Sequence, residues 1–542
     1  MVANWKTKYQ YQDDVWDAVE GTISGLAQSL LSGLLLYLSF PPVSLWPLAW
    51  VALVPMMRAH QQTFPDDTAL LALPTTTVTF LTLHFNKVSV GFTLGSESLH
   101  PLVRLLLTNK PTILATLFVS VALLSALARR FHRKTRLRHV VLEQVLFWVS
   151  VDYLRDSIPV LGTSASFAYS QFSIPAVVRI ASLIGTVGLT GAIVAVNASL
   201  TALLLARQRD DRGYLWKRQA PPGMKSSLLK QARIALSVVA CLLIWGAATS
   251  LFRAAPSSLT TVALVQPGRS MTFEYDNGLY TLRDLTMRAS FSGAKVVVWP
   301  ESSFRDDPRQ QAIWPEICDI AREAGCYLVV PYFTEAPVSG GTPPDKPKFI
   351  NEGLFLSPSG EVLGAGAKDH PVSLLGETSV TRGNYPVFDT PYGKVGIMIC
   401  YDLNFTDTAR RLALNGAQII CVPSNDWRAI SQAQYMYAIF RAAENGACVI
   451  KADSNYDSCI VLPDGRIAAK AVSYAGMQAM LVADVPLRSS LPLSARLGSA
   501  PGFASLVIWL GLMLRSLWKP RSLPRSDSQL PPEPQRVDGD LE

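Results

Sequence analysis

The sequence predicts a multi-span α-helical membrane domain followed by an α/β layered domain. The chain has 542 residues, of which 49% are hydrophobic and only 17% are charged, against about 25% charged residues in an average soluble protein. Its apolar residues are concentrated in blocks of roughly bilayer-spanning length, about 20 residues. Between the last two blocks, short β-rich runs alternate with amphipathic stretches, which is typical of α/β layers. This composition excludes a disordered chain and an ordinary soluble enzyme.

Eight apolar segments are candidate membrane spans. Two of them also fit a core helix inside a folded domain, because residues 68–85 are rich in threonine and residues 140–153 contain Glu143 and Asp152. The seven N-terminal candidates are 21–40, 43–57, 68–85, 111–128, 140–153, 175–206 and 234–252, and the eighth is 503–518.

The basic residues orient these spans, since Lys and Arg are retained on the cytoplasmic side of a membrane. Residues 129–138, residues 207–233 and the tail from Arg515 hold six, eight and five of them. All three segments are cytoplasmic if the N-terminus is inside and seven spans follow. Membrane topology therefore explains the net charge of +8. We predict no nucleic-acid partner, because the charge forms no stripe interleaved with aromatic residues.

This topology divides the chain into five parts. The predicted parts are a cytoplasmic segment (1–20), a membrane domain of about seven spans (21–252), an extracytoplasmic domain (253–488), a C-terminal span (489–518) and a disordered, proline-rich cytoplasmic tail (519–542). The predicted strands of the extracytoplasmic domain are 260–265, 295–299, 327–330, 353–357, 394–399, 418–422, 447–451 and 459–462. The predicted helices are 279–290, 309–323, 406–415 and 432–445.

Three residues with catalytic chemistry follow apolar strands of the second domain: Glu301 in VVVWPESSF, Lys368 in GAGAKDH and Cys400 in GKVGIMICYD. Reaction sites of α/β sheets gather beyond the carboxyl ends of strands, so the three side chains are expected to converge. Glu301 would take the thiol proton as general base. Lys368 would lower the pKa of the Cys400 thiol and stabilise an oxyanion. Taken singly, a strand-end cysteine is more often a buried small hydrophobe.

Among the other six cysteines, Cys241 lies in a predicted span, and Cys421 and Cys448 lie in apolar strands, where buried thiols are expected. A bridge between Cys318 and Cys326 is the alternative to free thiols if the domain is extracytoplasmic. The histidines do not cluster, and no Cys/His spacing fits a zinc site. We therefore expect neither a metal nor a cofactor.

The segments around Glu301, Lys368 and Cys400 resemble the nitrilase superfamily of carbon–nitrogen hydrolases, whose triad is Glu-Lys-Cys. With seven spans before the domain and one after it, the layout resembles the bacterial apolipoprotein N-acyltransferase family. The local matches are residues 38–57, Ser170-Gln171, residues 182–191, Asn197, Asn425-Asp426-Trp427 and residues 441–446. The resemblance implies an αββα four-layer sandwich for the second domain.

Three segments depart from the family pattern. Glu377 lies nine residues after Lys368 instead of eight, and Thr378 replaces the usual Tyr. The usual Cys-Tyr-Glu is Cys400-Tyr401-Asp402, and the usual Asn-Asp-Ala-Trp-Phe is shortened to Asn425-Asp426-Trp427-Arg428. These changes lie at the expected pocket rim and leave the triad intact. The pocket candidates beside the triad are Glu377, Tyr401, Asn425, Asp426 and Trp427.

The resemblance implies an N-acyltransferase that moves a fatty acyl chain from a phospholipid to the diacylglyceryl-cysteine amine of a lipoprotein, through a Cys400 thioester. It further implies a monomer in the inner membrane, with the catalytic domain on the periplasmic side. The altered segment 371–378 leaves a membrane-tethered amidase or other hydrolase as the alternative. A catalytically inactive scaffold is disfavoured by the intact triad.

Overall fold

The structure of the protein is a computed structural model. It describes residues 2–517 except 66, 94–109, 159–160, 208–222, 253–257, 269–274, 337–348, 373–376, 380–382, 472–476 and 489. The predicted tail 519–542 and four residues of the altered segment after Lys368 therefore lie outside the described residues.

The N-terminal half consists of helices. Their bounds are α1 Val2–Ser39, α2 Val54–Arg58, α3 Ala72–Thr93, α4 Lys110–Thr135, α5 Val140–Asp156, α6 Pro175–Val178, α7 Ala181–Arg207 and α8 Met224–Leu251. After the α/β domain come α13 Leu493–Leu497 and α14 Ala500–Leu517. Within the described residues, four helices are long and apolar enough to cross a membrane: Val15–Ser39, Ala181–Arg207, Met224–Leu251 and Ala500–Leu517. A shorter apolar helical segment covers Ala69–His84.

The predicted spans 43–57 and 140–153 differ in form from a regular membrane helix. Residues 43–57 fold into a 3₁₀ helix, Trp46–Trp50, and the short α2, and a π-helical turn, Ala59–Thr63, follows. The helix α5 has 17 residues, which corresponds to about 25 Å. Its two acidic residues, Glu143 and Asp152, are buried.

Both buried acids of α5 have hydrogen-bond partners, as an interior carboxylate requires. Glu143 accepts from the Trp509 indole at 3.0 Å and from Gln144 at 2.8 Å. Asp152 accepts from the hydroxyls of Ser166 and Thr190, each at 2.6 Å. These bonds fasten α5 to α14, to the segment after α5 and to α7.

The second domain contains two β-sheets. Its strands are β1 Leu259–Gln266, β2 Val296–Val298, β3 Phe304–Arg305, β4 Tyr327–Glu335, β5 Phe349–Leu356, β6 Val362–Ala367, β7 Val387–Thr390, β8 Gly393–Ile397, β9 Ile419–Ser424, β10 Cys448–Asp453, β11 Cys459–Val461, β12 Ile467–Lys470 and β13 Ala479–Pro486. One sheet has the order β13-β1-β2-β4-β5-β6, with β3 beside β4, and the other has the order β12-β11-β10-β9-β8-β7.

Each sheet has a parallel centre, formed by β1, β2 and β4 in the first and by β8, β9 and β10 in the second. Antiparallel strands flank both centres. The predicted fold class is therefore confirmed, and every strand predicted for this domain is present. The sheets have more strands than predicted, because β3, β7, β12 and β13 are absent from the predicted set and β6 was expected only as the apolar strand before Lys368.

Four helices cover the outer faces of the two sheets: α9 Tyr275–Phe291, α10 Trp314–Ala324, α11 Asp407–Leu414 and α12 Arg428–Asn445. The helices α9 and α10 share one apolar core with the first sheet. A second core lies between the sheets, which gives the αββα order of layers. The third core joins α11, α12 and the second sheet to the membrane helices, so the two parts of the chain pack directly against each other.

Candidate active site

The three triad candidates follow strand ends and come together in a buried site. Glu301 lies shortly after β2, Lys368 directly after β6, and Cys400 shortly after β8. Their exposed fractions are only 5%, 3% and 8%. The strand-end rule therefore places all three correctly. Burial at this level keeps bulk water away and strengthens the interactions between their charges.

The Lys368 ammonium is shared by two carboxylates. Its Nζ lies 2.8 Å from Glu301 Oε1 and 3.0 Å from a Glu377 oxygen. The Asn351 amide donates to the same two carboxylates, at 3.2 Å to Glu301 and 2.8 Å to Glu377. The other oxygen of Glu377 accepts from the Val372 backbone N–H at 2.7 Å. The pocket candidate Glu377 thus contacts Lys368, while Asn351 was not among the predicted site residues.

Cys400 begins a short helical turn, Cys400–Asn404. Its φ of +46° lies in the left-handed region, which a residue with a Cβ adopts only when its surroundings enforce it. Asp402 supports this turn by accepting from the backbone N–H of Ile399 at 2.8 Å. The same carboxylate accepts from the N–H of His370 at 2.7 Å. Asp402 therefore connects the turn of the cysteine to the segment that carries Lys368.

Burial dominates the protonation of the site. Burial raises the pKa of Glu301, against the opposing positive charge of Lys368. Burial alone would lower the pKa of Lys368, but the charges of Glu301 and Glu377 outweigh it and raise that pKa well above its usual value. Lys368 is therefore protonated throughout the neutral range.

The Cys400 thiol is also protonated at neutral pH. Burial, and then the charge of Glu301, raise its pKa well above the usual value, and Lys368 opposes this only in part. Lys368 thus acts to lower the thiol pKa, as predicted, but burial and the charge of Glu301 outweigh its effect. A protonated thiol needs a base to remove its proton during attack, and Glu301 lies close enough for the two groups to shift each other's pKa.

A second charged group lies on the other side of Cys400. The Cys400 Sγ donates to Asp426 Oδ1 at 3.7 Å, and Asp426 Oδ2 lies 2.7 Å from the Lys451 ammonium. Lys451 also contacts Asp453 at 3.2 Å, whose carboxylate accepts from the Asp426 N–H at 2.9 Å. Burial raises the pKa of Asp426 to about 8. The predicted pocket residue Asp426 therefore contacts the nucleophile directly. Lys451 and Asp453 in turn contact Asp426.

Sequence reasoning missed Lys451 and Asp453, although both lie on β10 and Asp453 ends it. The signal was available, since a charged residue at the end of an apolar strand was the criterion that found the triad. Lys451, however, lies inside the strand, and a lysine that is fully buried is rarely predicted from sequence.

The remaining pocket candidates take different places. The Asn425 backbone N–H forms a hydrogen bond with the Cys400 thiol. Tyr401 is half-buried and packs edge-on against Phe405, with ring centroids 5.4 Å apart. Trp427 is half-buried and directly precedes α12. The structure thus brings Asn425 to the nucleophile, while Tyr401 lies in the same turn as Cys400 and Trp427 lies at the start of α12.

His370 forms a separate pair beside the site. Its Nε2 lies 2.8 Å from Asp407 Oδ1, and its ring stacks on Phe405 with centroids 3.8 Å apart. Burial lowers the pKa of His370, but Asp407 outweighs this and raises it. Burial alone would raise the pKa of Asp407, but the hydrogen bond with His370 opposes it, and the pKa of Asp407 is lowered. Both pKa shifts favour the charged forms, so His370 and Asp407 form an ion pair. This pair links the segment after Lys368 to α11.

All seven cysteines are free thiols, so the alternative of a bridge between Cys318 and Cys326 is wrong. Arg441 pairs with Glu444 at 2.8 Å.

Two family descriptions match the chain. Residues 261–490 match carbon-nitrogen hydrolase, and residues 32–199 match the apolipoprotein N-acyltransferase N-terminal domain. An apolipoprotein N-acyltransferase of Geobacter metallireducens is 25% identical over 81% of this chain and 85% of its own length. An omega-amidase of Xenopus laevis is 28% identical over 34% of this chain and 76% of its own. A solved amidase from Nesterenkonia sp. AN1 covers 46% of this chain and 99% of its own, with 21% identity and a TM-score of 0.35.

Proposed function

Because the chain belongs to the apolipoprotein N-acyltransferase family of carbon–nitrogen hydrolases, we propose that Cys400 carries an acyl group from a phospholipid to a lipoprotein. The donor is the sn-1 ester of a phospholipid. The acceptor is the α-amino group of a diacylglyceryl-cysteine at the lipoprotein N-terminus. The observation that carries the proposal is the buried contact of Glu301 and Lys368 at 2.8 Å beside the protonated Cys400 thiol.

In the first step the Cys400 Sγ attacks the carbonyl carbon of the phospholipid ester, and Glu301 takes the thiol proton. The carbonyl oxygen of the ester becomes an oxyanion, which the Lys368 ammonium stabilises by its charge. The bond to the glycerol oxygen then breaks, and Glu301 returns the proton to that oxygen. A lysophospholipid leaves, and the acyl chain remains on Cys400 as a thioester.

In the second step the α-amino nitrogen of the lipoprotein attacks the thioester carbonyl, and Glu301 takes the proton of the amine. Lys368 again stabilises the oxyanion. The bond between carbon and sulfur breaks, the departing thiolate receives the proton from Glu301, and an amide is formed. Glu301 serves as base and as acid in both steps, and its raised pKa brings it closer to the neutral range in which such an exchange is efficient.

The alternative is a membrane-tethered hydrolase that passes the thioester to water. The sequence similarity to an omega-amidase over 34% of this chain favours it. It does not account for the match of residues 32–199 to the N-terminal domain of the acyltransferase. The burial of the triad also favours transfer, because a thioester shielded from bulk water survives until the amine arrives.

We propose further that the protein lies in the inner membrane as a monomer, with residues 253–488 on the periplasmic side. The bounds 1–20, 21–252, 489–518 and 519–542 complete this topology. The apolar helices support a membrane protein, and the distribution of basic residues supports the orientation. Both substrates are amphiphiles, which explains why the catalytic domain is attached to membrane helices.

Reconstituted vesicles test the proposal. The full chain is combined with a phospholipid bearing an alkyne-labelled sn-1 chain and a synthetic diacylglyceryl-cysteine peptide. The expected product is the peptide with one labelled chain on its amine, together with lysophospholipid. Release of labelled fatty acid without a labelled peptide would establish the hydrolase instead. The absence of any lysophospholipid would contradict both activities.

A further inference from the structure

The segment between α5 and α6 of the membrane domain contacts the turn of the nucleophile. The backbone N–H and the hydroxyl of Thr163 both donate to the carbonyl oxygen of Asn404, each at 2.7 Å. Asn404 is the last residue of the turn that begins at Cys400. A carbonyl with two donors at this distance uses both of its lone pairs. The membrane domain therefore fixes one end of the catalytic turn directly.

The approach of the two segments is close. Gly162, which precedes Thr163, has a φ of +49°, and a Cβ added there would lie 2.6 Å from the Asn404 oxygen. A glycine is thus required both for the backbone conformation and for the distance between the segments.

A chain of bonds holds Thr163 itself in place. Its hydroxyl accepts from the Tyr169 hydroxyl at 2.6 Å, and Tyr169 accepts from Arg441 at 3.1 Å. Arg441 pairs with Glu444, whose carboxylate accepts from the Thr186 N–H of the membrane helix α7 at 2.6 Å. The bonds cross the boundary between the two domains twice. Thr163 is therefore a fixed donor rather than the end of a free loop.

The other end of the turn is held within the catalytic domain, by Asp402. The side chain of Asn404 accepts from Gln434 of α12 at 2.8 Å. The left-handed φ of Cys400 lies between these two anchors. Such a backbone conformation persists only when the surrounding structure determines it, and Thr163 supplies one of the contacts that surround this turn.

We infer that Thr163 is a positioning residue, through which the membrane domain holds the Cys400 turn in its reactive geometry. The inference rests on the proposed acyl transfer for its kinetic readout. It makes the membrane domain more than an anchor, because the rate of acylation of Cys400 then depends on a contact from outside the catalytic domain. The observed route from Thr163 to the nucleophile is its pair of hydrogen bonds to Asn404.

Thr163→Val tests this inference, because it keeps the side-chain volume and removes the hydroxyl donor. We expect the rate of acyl-enzyme formation to fall roughly tenfold, which is the upper range for one buried hydrogen bond, while KM for phospholipid changes by less than about twofold. Thr163→Ser restores the hydroxyl and is expected to restore the rate. Tyr437→Phe is the matched control, since its hydroxyl contacts Ser164 at the same boundary at 3.5 Å and does not contact Asn404.

A second pair of variants covers the case in which Thr163→Val fails to fold. Gly162→Ala pushes a methyl group against the Asn404 oxygen and is expected to give the same loss of rate with unchanged KM. Gly511→Ala of α14 is its control, because a Cβ there has open space around it.

The outcomes are distinct. Normal rates in Thr163→Val, or a lower melting temperature with a normal rate of acylation, would overturn the inference. So would a rise of KM alone, or a loss of rate that Thr163→Ser does not restore. If the wild type forms no acyl-enzyme, the proposed function fails, which is separate from the failure of a Thr163 variant beside an active wild type.

Discussion

The Glu301 carboxylate lies 2.8 Å from the Lys368 ammonium, and both side chains are almost completely buried. Such a pair is costly to desolvate, and two neighbours maintain it. Glu377 accepts a hydrogen bond from Lys368, and Asn351 donates to both Glu301 and Glu377. The pair places a base and a fixed positive charge beside one thiol. Glu301 and Lys368 have separate chemical tasks, so we expect a different result when each of them is replaced.

Replacement of Lys368 tests the oxyanion role. Lys368→Met is expected to lower kcat of acyl transfer by about 10²–10³, the usual cost of losing one oxyanion donor. It also leaves Glu301 and Glu377 without their counter-charge, so the pKa of Glu301 rises further. Lys394→Met is the control, because Lys394 is an exposed lysine paired with Asp389. Retention of more than half the activity in Lys368→Met would contradict the role.

Glu301→Gln should separate the reactivity of the thiol from catalysis. Acyl transfer is expected to fall by about 10²–10⁴, because the general base is lost. Alkylation of Cys400 by iodoacetamide is expected to start at lower pH than in the wild type, since the charge of Glu301 raises the pKa of that thiol. Peptide mass spectrometry at Cys400 measures the alkylation. An unchanged or higher alkylation midpoint would show that the carboxylate does not act on the thiol as described.

Glu377 is expected to affect the rate of acyl transfer, because it contacts Lys368. Glu377→Gln keeps the shape and removes the charge, so the bond of 3.0 Å to Lys368 is weakened. The expected loss in kcat is roughly 10- to 100-fold, from the loss of one charged hydrogen bond. Glu323→Gln, an exposed glutamate of α10, is the control. Full activity of Glu377→Gln would make the contact incidental.

The pair of His370 and Asp407 predicts a pH dependence of stability. The pKa of His370 is raised in the folded protein, so its contribution is complete below about 6.5, the unfolded value, and is lost as pH rises through the raised folded value. Comparing the wild type with His370→Gln isolates this contribution. The contribution of this pair to the free energy of unfolding is expected to be about 1 kcal/mol. It is small because the Asp407 side chain is 40% exposed and solvent weakens the attraction. Melting temperatures of the two proteins that run parallel between pH 6 and 9 would contradict the ion pair.

The sequence predicted the parts of this molecule that follow from periodicity. The parallel strands could be predicted because runs of β-branched residues indicate them. The convergence of Glu301, Lys368 and Cys400 could be predicted because the ends of such strands meet. Strand β13 was missed because it pairs antiparallel at the edge of a sheet and its burial is irregular. The irregular form of residues 43–57 was missed for a similar reason, since composition marks a span without specifying its helical regularity.

The contacts across the domains could not be predicted in this way. Thr163 and Asn404 are 241 positions apart, and neither residue type indicates a partner at that separation. Lys451 was hidden inside a strand of apolar neighbours, and only the folded chain brings it to Asp426. Local patterns thus identify the reacting groups, and the tertiary structure identifies the residues that hold them.

The most direct test of the central claim is the mass of the intact protein after incubation with phospholipid and without an acceptor. The wild type is expected to gain one acyl chain on Cys400, and hydroxylamine should remove it, as it removes thioesters. Cys400→Ala should gain none, whereas Cys421→Ala, in which another buried thiol is removed, should behave as the wild type. Addition of the diacylglyceryl-cysteine peptide should transfer the chain to the peptide. Formation of the triacylated peptide by Cys400→Ala, or an acyl chain on another residue, would contradict the account.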